Sequence, residues 1–267
     1  MRIITSNQNK IVKYAKSLQL KKHRESTGEY LLEGIKLLKE AVKYDGVLSS
    51  LLYYYKAFNN PEIQEIINLC VEKKIPIYEL EEKPFTDISE TKTSQGIIGI
   101  GKKRSYDMDS LLREKSFNII LLEEVQDPGN LGTIIRTADA CGFDLVVLSK
   151  GCADIYSGKT IRSTMGSIFH IPIMSDIDLE PMLSMFEEMG VLTLATVPHG
   201  GTPCHDIEYA DKNAILIGNE SKGLPDNLID MIKAKASIPM IGRAESLNAG
   251  VAASVMMYEI MRYKLKK

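Results

Sequence analysis

The sequence predicts an α/β protein in which a small α/β unit precedes a parallel sheet with helices on both faces. Three observations carry this expectation. Near-continuous apolar runs recur at 118–122, 144–148, 191–197, 214–217 and 236–240, each followed by a loop and a helix-like stretch, the rhythm of strands buried on both faces. The first hundred residues alternate shorter strand-like and helix-like segments. The composition, 44% hydrophobic and 25% charged over 267 residues, lies in the globular range and leaves room for one large or two small domains.

Taken in order, residues 1–24 hold seven basic side chains and no acidic one. Lys10, Lys13 and Lys16 fall on one arc of a helical wheel and Ile11, Ala15 and Leu18 on another, so the segment reads as a basic amphipathic helix. With Lys21, Lys22 and Arg24 it suits a phosphate backbone, because a one-signed face gains by releasing counterions. A solvated helix face is the alternative, and a membrane surface is disfavoured by the lack of Trp and Phe anchors. Next come a strand at 30–32, a helix over 35–44, a β-rich run at 47–55, a helix over 62–72 entered at Pro61, and strands at 75–80 and 97–100. Tyr53, Tyr54 and Tyr55 can stack on bases, but alternating burial in a strand explains them without RNA. Residues 101–116 are charged and patternless, which places a linker at 106–116 between domains 1–105 and 117–267. The halves differ in charge, with 18 Lys/Arg against 13 Asp/Glu in 1–105 and 15 against 22 in 106–267.

No apolar run approaches the ~20 residues of a membrane span, and Met1 to Ile4 lead straight into a polar stretch, unlike a secretory signal. A soluble, cytoplasmic protein is expected. Cys70, Cys141, Cys152 and Cys204 are scattered, without a C-x-x-C pair, so neither a disulfide framework nor a metal site is expected.

Ligands of open parallel sheets bind at the carboxyl ends of the strands, which directs attention to four loops. In Asp127 to Arg136, Pro128 and Gly129 end a strand and Asn130 can cap the following helix. Arg136 lies one and a half turns in, where a cation can meet an anionic ligand. Ala153 to Thr160 satisfies a loose phosphate-loop pattern, but Asp154, Ile155 and Tyr156 add bulk and negative charge where backbone N–H groups should be exposed, so nucleoside-triphosphate hydrolysis is a minor alternative. The loop 218–223 holds the carboxylate of Glu220 between two glycines. Ile238 to Asn248 ends in Ser246 and Asn248, which can cap a helix opened by small residues.

The first, third and fourth loops together resemble the SpoU (TrmH-like) family of RNA ribose 2′-O-methyltransferases, of the knotted SPOUT class. The Asn-x-Gly-x-x-x-Arg core of that family is matched by Asn130, Gly132 and Arg136. Its Gly-Asn-Glu with a following Gly-Leu is matched by Gly218 to Glu220 with Gly223 and Leu224. Its Ile-Pro-Met through Ser-Leu-Asn is matched by Ile238 to Met240 and Ser246 to Asn248. The likeness extends over about 117–264; Arg162, Ser163 or Thr164, and Gly166 fall in a further stretch similar to the family's Arg-x-Ser-x-Gly, and Ala249-Gly250 stand where Val-Ser is common. Asn9, Tyr30 to Gly34 and Gly96-Ile97 are similar to the substrate-binding domain ahead of many such enzymes, a fold like ribosomal protein L30e.

The resemblance implies a trefoil knot, which element order alone would not suggest, and S-adenosylmethionine as cofactor, contacted at Thr196, Gly218, Ile238, Met240 and Leu247. It implies Arg136 as the catalytic arginine, with Asn130, Glu220, Ser246 and Asn248 positioning, the carboxylate orienting Arg136 or the ribose. It also implies a homodimer with the site near the subunit interface. Structured RNA is the expected substrate, 23S rRNA ahead of tRNA; a non-catalytic RNA-binding protein of the same fold is the alternative.

Overall fold

The computed structural model describes residues 3–266; Arg2, one of the seven early cations, lies outside them. Two compact units divide the chain, one of residues 1–105 with 154–169 and one of 106–153 with 170–267.

In the first unit, helices α1 (Lys10–Ser17) and α2 (Lys21–Thr27) replace the single basic helix expected over 1–24. The cause is Arg24. Its guanidinium donates to the carbonyls of Leu18 and Gln19, both at 2.7 Å, and so ends α1. Val12, Ala15 and Leu18 are buried beneath α1 while Lys10, Lys13, Lys16, Lys21 and Lys22 stay exposed. Strand β1 (Glu29–Glu33), helix α3 (Ile35–Ala41), strand β2 (Leu48–Tyr54) and helix α4 (Pro61–Glu72) follow as expected. After β3 (Ile77–Leu80) comes α5 (Glu82–Ile88), which the charged sequence does not announce. Phe85 and Ile88 bury its one apolar side. Strand β4 (Ile97–Lys102) closes a sheet of order β1-β4-β2-β3, antiparallel except for β2 and β3. Tyr53 is buried in it, but Leu51 and Leu52 are buried beside it and Tyr55 lies exposed beyond the strand, so the expected alternation of burial is not found.

The second unit starts before its first strand. Helix α6 (Met108–Leu112) occupies the expected linker, and its Leu112 is buried in the core. Then come β5 (Phe117–Leu122), α7 (Pro128–Ala140) and β6 (Leu145–Ser149). The chain next supplies residues 154–169, including α8 (Gly158–Thr164), to the first unit. There Asp154 pairs with Arg24 at 2.6 Å, the two side chains being 18% and 7% exposed. Asp154 is thus occupied, Ser157 caps α8, and Thr160 is fully buried against the Asp154 carbonyl. The segment with the phosphate-loop pattern therefore offers no cradle for phosphates.

Returning, the chain forms β7 (Ile173–Ile177), α9 (Leu179–Glu188), β8 (Leu192–Thr196), β9 (Thr202–Pro203), β10 (Lys212–Ile217), α10 (Asp226–Asp230), β11 (Ala234–Ser237) and α11 (Ala249–Leu265). The seven strands run in the order β7-β6-β5-β10-β8-β11-β9 and every pairing is parallel. Strands β5, β6, β8 and β10 match four of the apolar runs, while β11 overlaps the fifth only at 236–237 and residues 238–240 are loop. Both of the others lie at sheet edges, where β7 keeps only Ile173 buried and β9 is two residues long, so neither shows the continuous apolar signal of a central strand.

Candidate active site

The loops after β8, β10 and β11 meet at the carboxyl ends of the strands around a cavity of about 560 Å³, a volume suited to a small organic ligand. Thr196, Gly218, Ile238, Met240 and Leu247 all line it. Glu220, Ser246 and Asn248 share the same wall, whereas Asn130 and Arg136 do not border the cavity.

The loop leaving β10 is held in shape by its backbone. Asn219 and Gly223 exchange N–H···O bonds of 3.1 and 3.0 Å, closing a tight turn with Gly223 at φ +71°. A Cβ at Gly218 would stand 2.4 Å from the carbonyl carbon of Gly223, so only glycine fits there. The Asn219 side chain, to which the sequence assigns no role, accepts from the N–H groups of Ser221 and Lys222 and donates to the Glu124 carbonyl at 2.8 Å. It ties this loop to the one after β5. Its place between Gly218 and Glu220 is the only signal of this in the sequence.

Helix α7 is capped by Asp127, whose Oδ1 accepts from the Asn130 N–H at 2.8 Å. Asn130 is therefore inside the first turn and not the cap, a correction that the sequence Asp127-Pro128 could have supplied, since proline favours the first helical position. Relieved of capping, its carboxamide turns outward: Nδ2 donates to Glu220 Oε1 at 2.9 Å, and Oδ1 accepts from Asn248 Nδ2 at 2.8 Å. Asn248 is itself the cap of α11, accepting from Gly250 and Val251. Glu220 also takes the backbone N–H groups of Gln126 and Asp127. Burial by itself would raise the pKa of Glu220, but the bonds from Asn130 and the backbone prevail and hold its carboxyl below the ordinary value. Those bonds engage both oxygens, and none goes to Arg136, so the expected orientation of Arg136 by this carboxylate is not what the structure has.

Arg136 is exposed and makes no hydrogen bond or ion pair among the described residues. The apolar stripe Leu131, Ile134, Ile135 and Ala138 is buried, which leaves Thr133, Arg136 and Ala140 on the outer face. Of the residues expected to hold RNA, Arg24 must be withdrawn, because its guanidinium is consumed inside the first unit. Lys16 pairs with Asp87 and Lys21 with Glu25, while Lys10, Lys13 and Lys22 have no acidic partner among the described residues. No helix of the described residues is long and apolar enough to cross a membrane.

The cavity fits an amphipathic nucleoside. Ile238, Met240 and Leu247 give it apolar walls, Gly218 leaves backbone groups uncovered, and Thr196 Oγ1 is a buried polar atom without a hydrogen-bond partner among the described residues, the kind of atom that a ligand satisfies.

Comparison with known proteins agrees. Residues 118–258 match the model of the SpoU rRNA Methylase family. The chain belongs to that family. Residues 9–99 match the MRM3-like substrate binding domain. Among SpoU relatives, a Bacillus subtilis 23S rRNA (guanosine(2553)-2′-O)-methyltransferase is 35% identical over 97% of this chain and 99% of its own. A Streptomyces viridochromogenes 23S rRNA (uridine(2479)-2′-O)-methyltransferase is 27% identical over 99% and 93%. The AdoMet-bound rRNA methyltransferase structure from Sinorhizobium meliloti superposes with a TM-score of 0.83 at 32% identity over 98% of each chain. The fold is thus the SPOUT fold of SpoU methyltransferases, and S-adenosylmethionine is the cofactor of this family.

Proposed function

We propose that this protein transfers the methyl group of S-adenosylmethionine to a ribose 2′-hydroxyl of 23S rRNA, in the cytoplasm and as a homodimer. The observation that carries the reading is the junction of Glu220, Asn130 and Asn248, which joins the wall of the cofactor cavity to the helix bearing Arg136. The rRNA substrates named for the Bacillus and Streptomyces relatives support the choice of RNA.

Thr196, Gly218, Ile238, Met240 and Leu247 would hold the cofactor, which supplies when bound an electrophilic methyl carbon on a sulfonium. The residues of the chain have the other tasks. A ribose hydroxyl is a weak nucleophile and must lose its proton as it attacks, so the site must align it and favour the growing negative charge. A guanidinium of pKa above 12 is a poor proton acceptor. Arg136 instead pairs with the phosphate beside the target and stabilises the developing alkoxide, with the proton passing to water or a neighbouring group. Glu220, fixed by its bonds to the 126–130 turn, acts as a brace. Ser246 and Asn248 shape the cavity rim.

The first unit is the RNA-binding part, with Lys10, Lys13 and Lys22 directed to solvent for phosphate contact. The dimer forms on α11, where Val251, Tyr258 and Leu265 recur every seven residues and are 47%, 54% and 79% exposed. Such spacing puts three apolar side chains on one helix face.

The deciding experiment is transfer of labelled methyl to total rRNA and, separately, total tRNA from cells lacking this protein. Label confined to rRNA, resistant to alkaline cleavage and strongly reduced by Arg136→Ala supports the reading. Label in tRNA alone moves the substrate class, and none in either despite cofactor binding favours an RNA-binding protein without turnover.

A further inference from the structure

Helices α7 and α11 run side by side in the same direction. Near their N-termini the Cα of Asn130 lies so close to Gly250 that an added Cβ would meet it at 3.3 Å. Farther along, Thr137 Oγ1 and Ser254 Oγ are 3.0 Å apart. Each hydroxyl also reaches its own helix, Thr137 to the carbonyl of Thr133 at 2.9 Å and Ser254 to that of Gly250 at 2.7 Å. Two hydroxyl protons serve three contacts, so at any moment one of the three lacks a proton and the pair behaves as a small shared network.

Thr137 directly follows Arg136. Successive residues on a helix are about 100° apart, so fixing the edge of α7 that carries Thr137 fixes where Arg136 projects. Other restraints act elsewhere on the helix: Asn130 pins its first turn, and the buried stripe sets its depth on the sheet without a directional bond. We propose that Thr137 and Ser254 are positioning residues that set the azimuth and height of Arg136 against α11, whose cap Asn248 borders the cofactor cavity. The inference rests on the reading of Arg136 as the group that meets the reacting ribose. Alignment within a fraction of an ångström is worth much of the rate in such a transfer, since about 1 Å of misplacement can cost ~100-fold.

The test is a double-mutant cycle read by single-turnover methyl transfer. Thr137→Val and Ser254→Ala should each slow transfer about 10-fold, with little further loss when combined, and Thr137→Ser should restore most of the rate. S-adenosylmethionine affinity should stay within about twofold. In an Arg136→Ala background Thr137→Val should have no added effect, because a residue acting through another falls silent when that one is gone. Additivity with Arg136→Ala, or a loss of cofactor binding equal to the loss of rate, overturns the proposal. A crystal structure of the Thr137→Val protein gives a reading independent of turnover and therefore of the substrate assignment. A displacement of the Arg136 Cα against α11 supports the positioning role, and an unmoved α7 overturns it.

Discussion

Asn248 Nδ2 donates to Asn130 Oδ1 at 2.8 Å, so the residue that caps α11 also grips the first turn of α7. Because Asn130 at once donates to Glu220, its carboxamide spends both its donor and its acceptor inside this trio. Replacement by Asp keeps the acceptor for Asn248 but sets a second carboxylate against Glu220. Asn130→Asp is expected to raise the pKa of Glu220 toward and above its ordinary value and to slow methyl transfer by about 10- to 100-fold. Carbon-13 NMR titration of the Glu220 carboxyl alongside the rate measurement checks both.

Arg136→Lys keeps the charge but not the planar fork. Turnover should fall by at least about 10-fold, with unchanged cofactor affinity. Near-normal turnover across a full pH–rate profile would reject any need for two-pronged contact to phosphate and alkoxide.

Gly218→Ala forces a Cβ into the Gly223 carbonyl. Overpacking of this kind costs about 1–3 kcal/mol, and since the strained loop forms the cavity wall, S-adenosylmethionine affinity should drop by roughly 5- to 150-fold. Calorimetric titration would detect this. Retained affinity would mean that the loop relaxes without reshaping the cavity.

Two kinds of cation near the N-terminus should separate cleanly. Arg24→Ala leaves Asp154 without its partner and removes the bonds to Leu18 and Gln19, a destabilisation of about 3–5 kcal/mol for a buried pair broken from one side, visible in denaturant unfolding. Lys10→Ala and Lys13→Ala should leave stability unchanged and weaken RNA binding. They should also reduce the slope of log affinity against log salt by about 0.7–0.9 for each phosphate that is no longer neutralised.

Glu33 supplies a pH prediction. Burial raises its pKa, but bonds from the hydroxyls of Ser89, Thr91 and Ser94 and from the Glu90 N–H outweigh this and lower it. A carboxyl whose folded pKa lies below its unfolded value stabilises the fold above the unfolded pKa and loses that contribution as pH falls through the folded one. Thermal melts between neutral pH and pH 3 should show Glu33→Gln less stable at pH 7 and flatter in the acid range; parallel curves would deny Glu33 this role.

The central strands and their loops are legible in the sequence because burial on both faces leaves continuous apolar runs. The edge strands β7 and β9 are not, since an edge needs few buried side chains. Helix α5 is hidden by Glu81, Glu82 and Lys83, charges that sit on its solvent side while Phe85 and Ile88 do the packing. In the site, residue types and order are enough to collect eight residues around one cavity. Side-chain direction is not readable, which is why the sequence suggests Glu220 as a partner of Arg136 and Arg24 as a surface cation. Each of these depends on a partner about 90 or more residues away, Glu220 on Asn130 and Arg24 on Asp154.

The membership of residues 154–169 in the first unit also orders events during synthesis. When residue 105 has been made, Arg24 has no Asp154 and Tyr30 has no Tyr156, whose ring centroid lies 4.6 Å away in the finished protein. Another 64 residues, from 106 to 169, must be added before that unit has all its parts. At about 5–20 residues per second this is a wait of roughly 3–13 s. The nascent unit spends that interval with an unneutralised cation and an uncovered aromatic face, a window in which a chaperone or the ribosome surface can stand in for the missing segment.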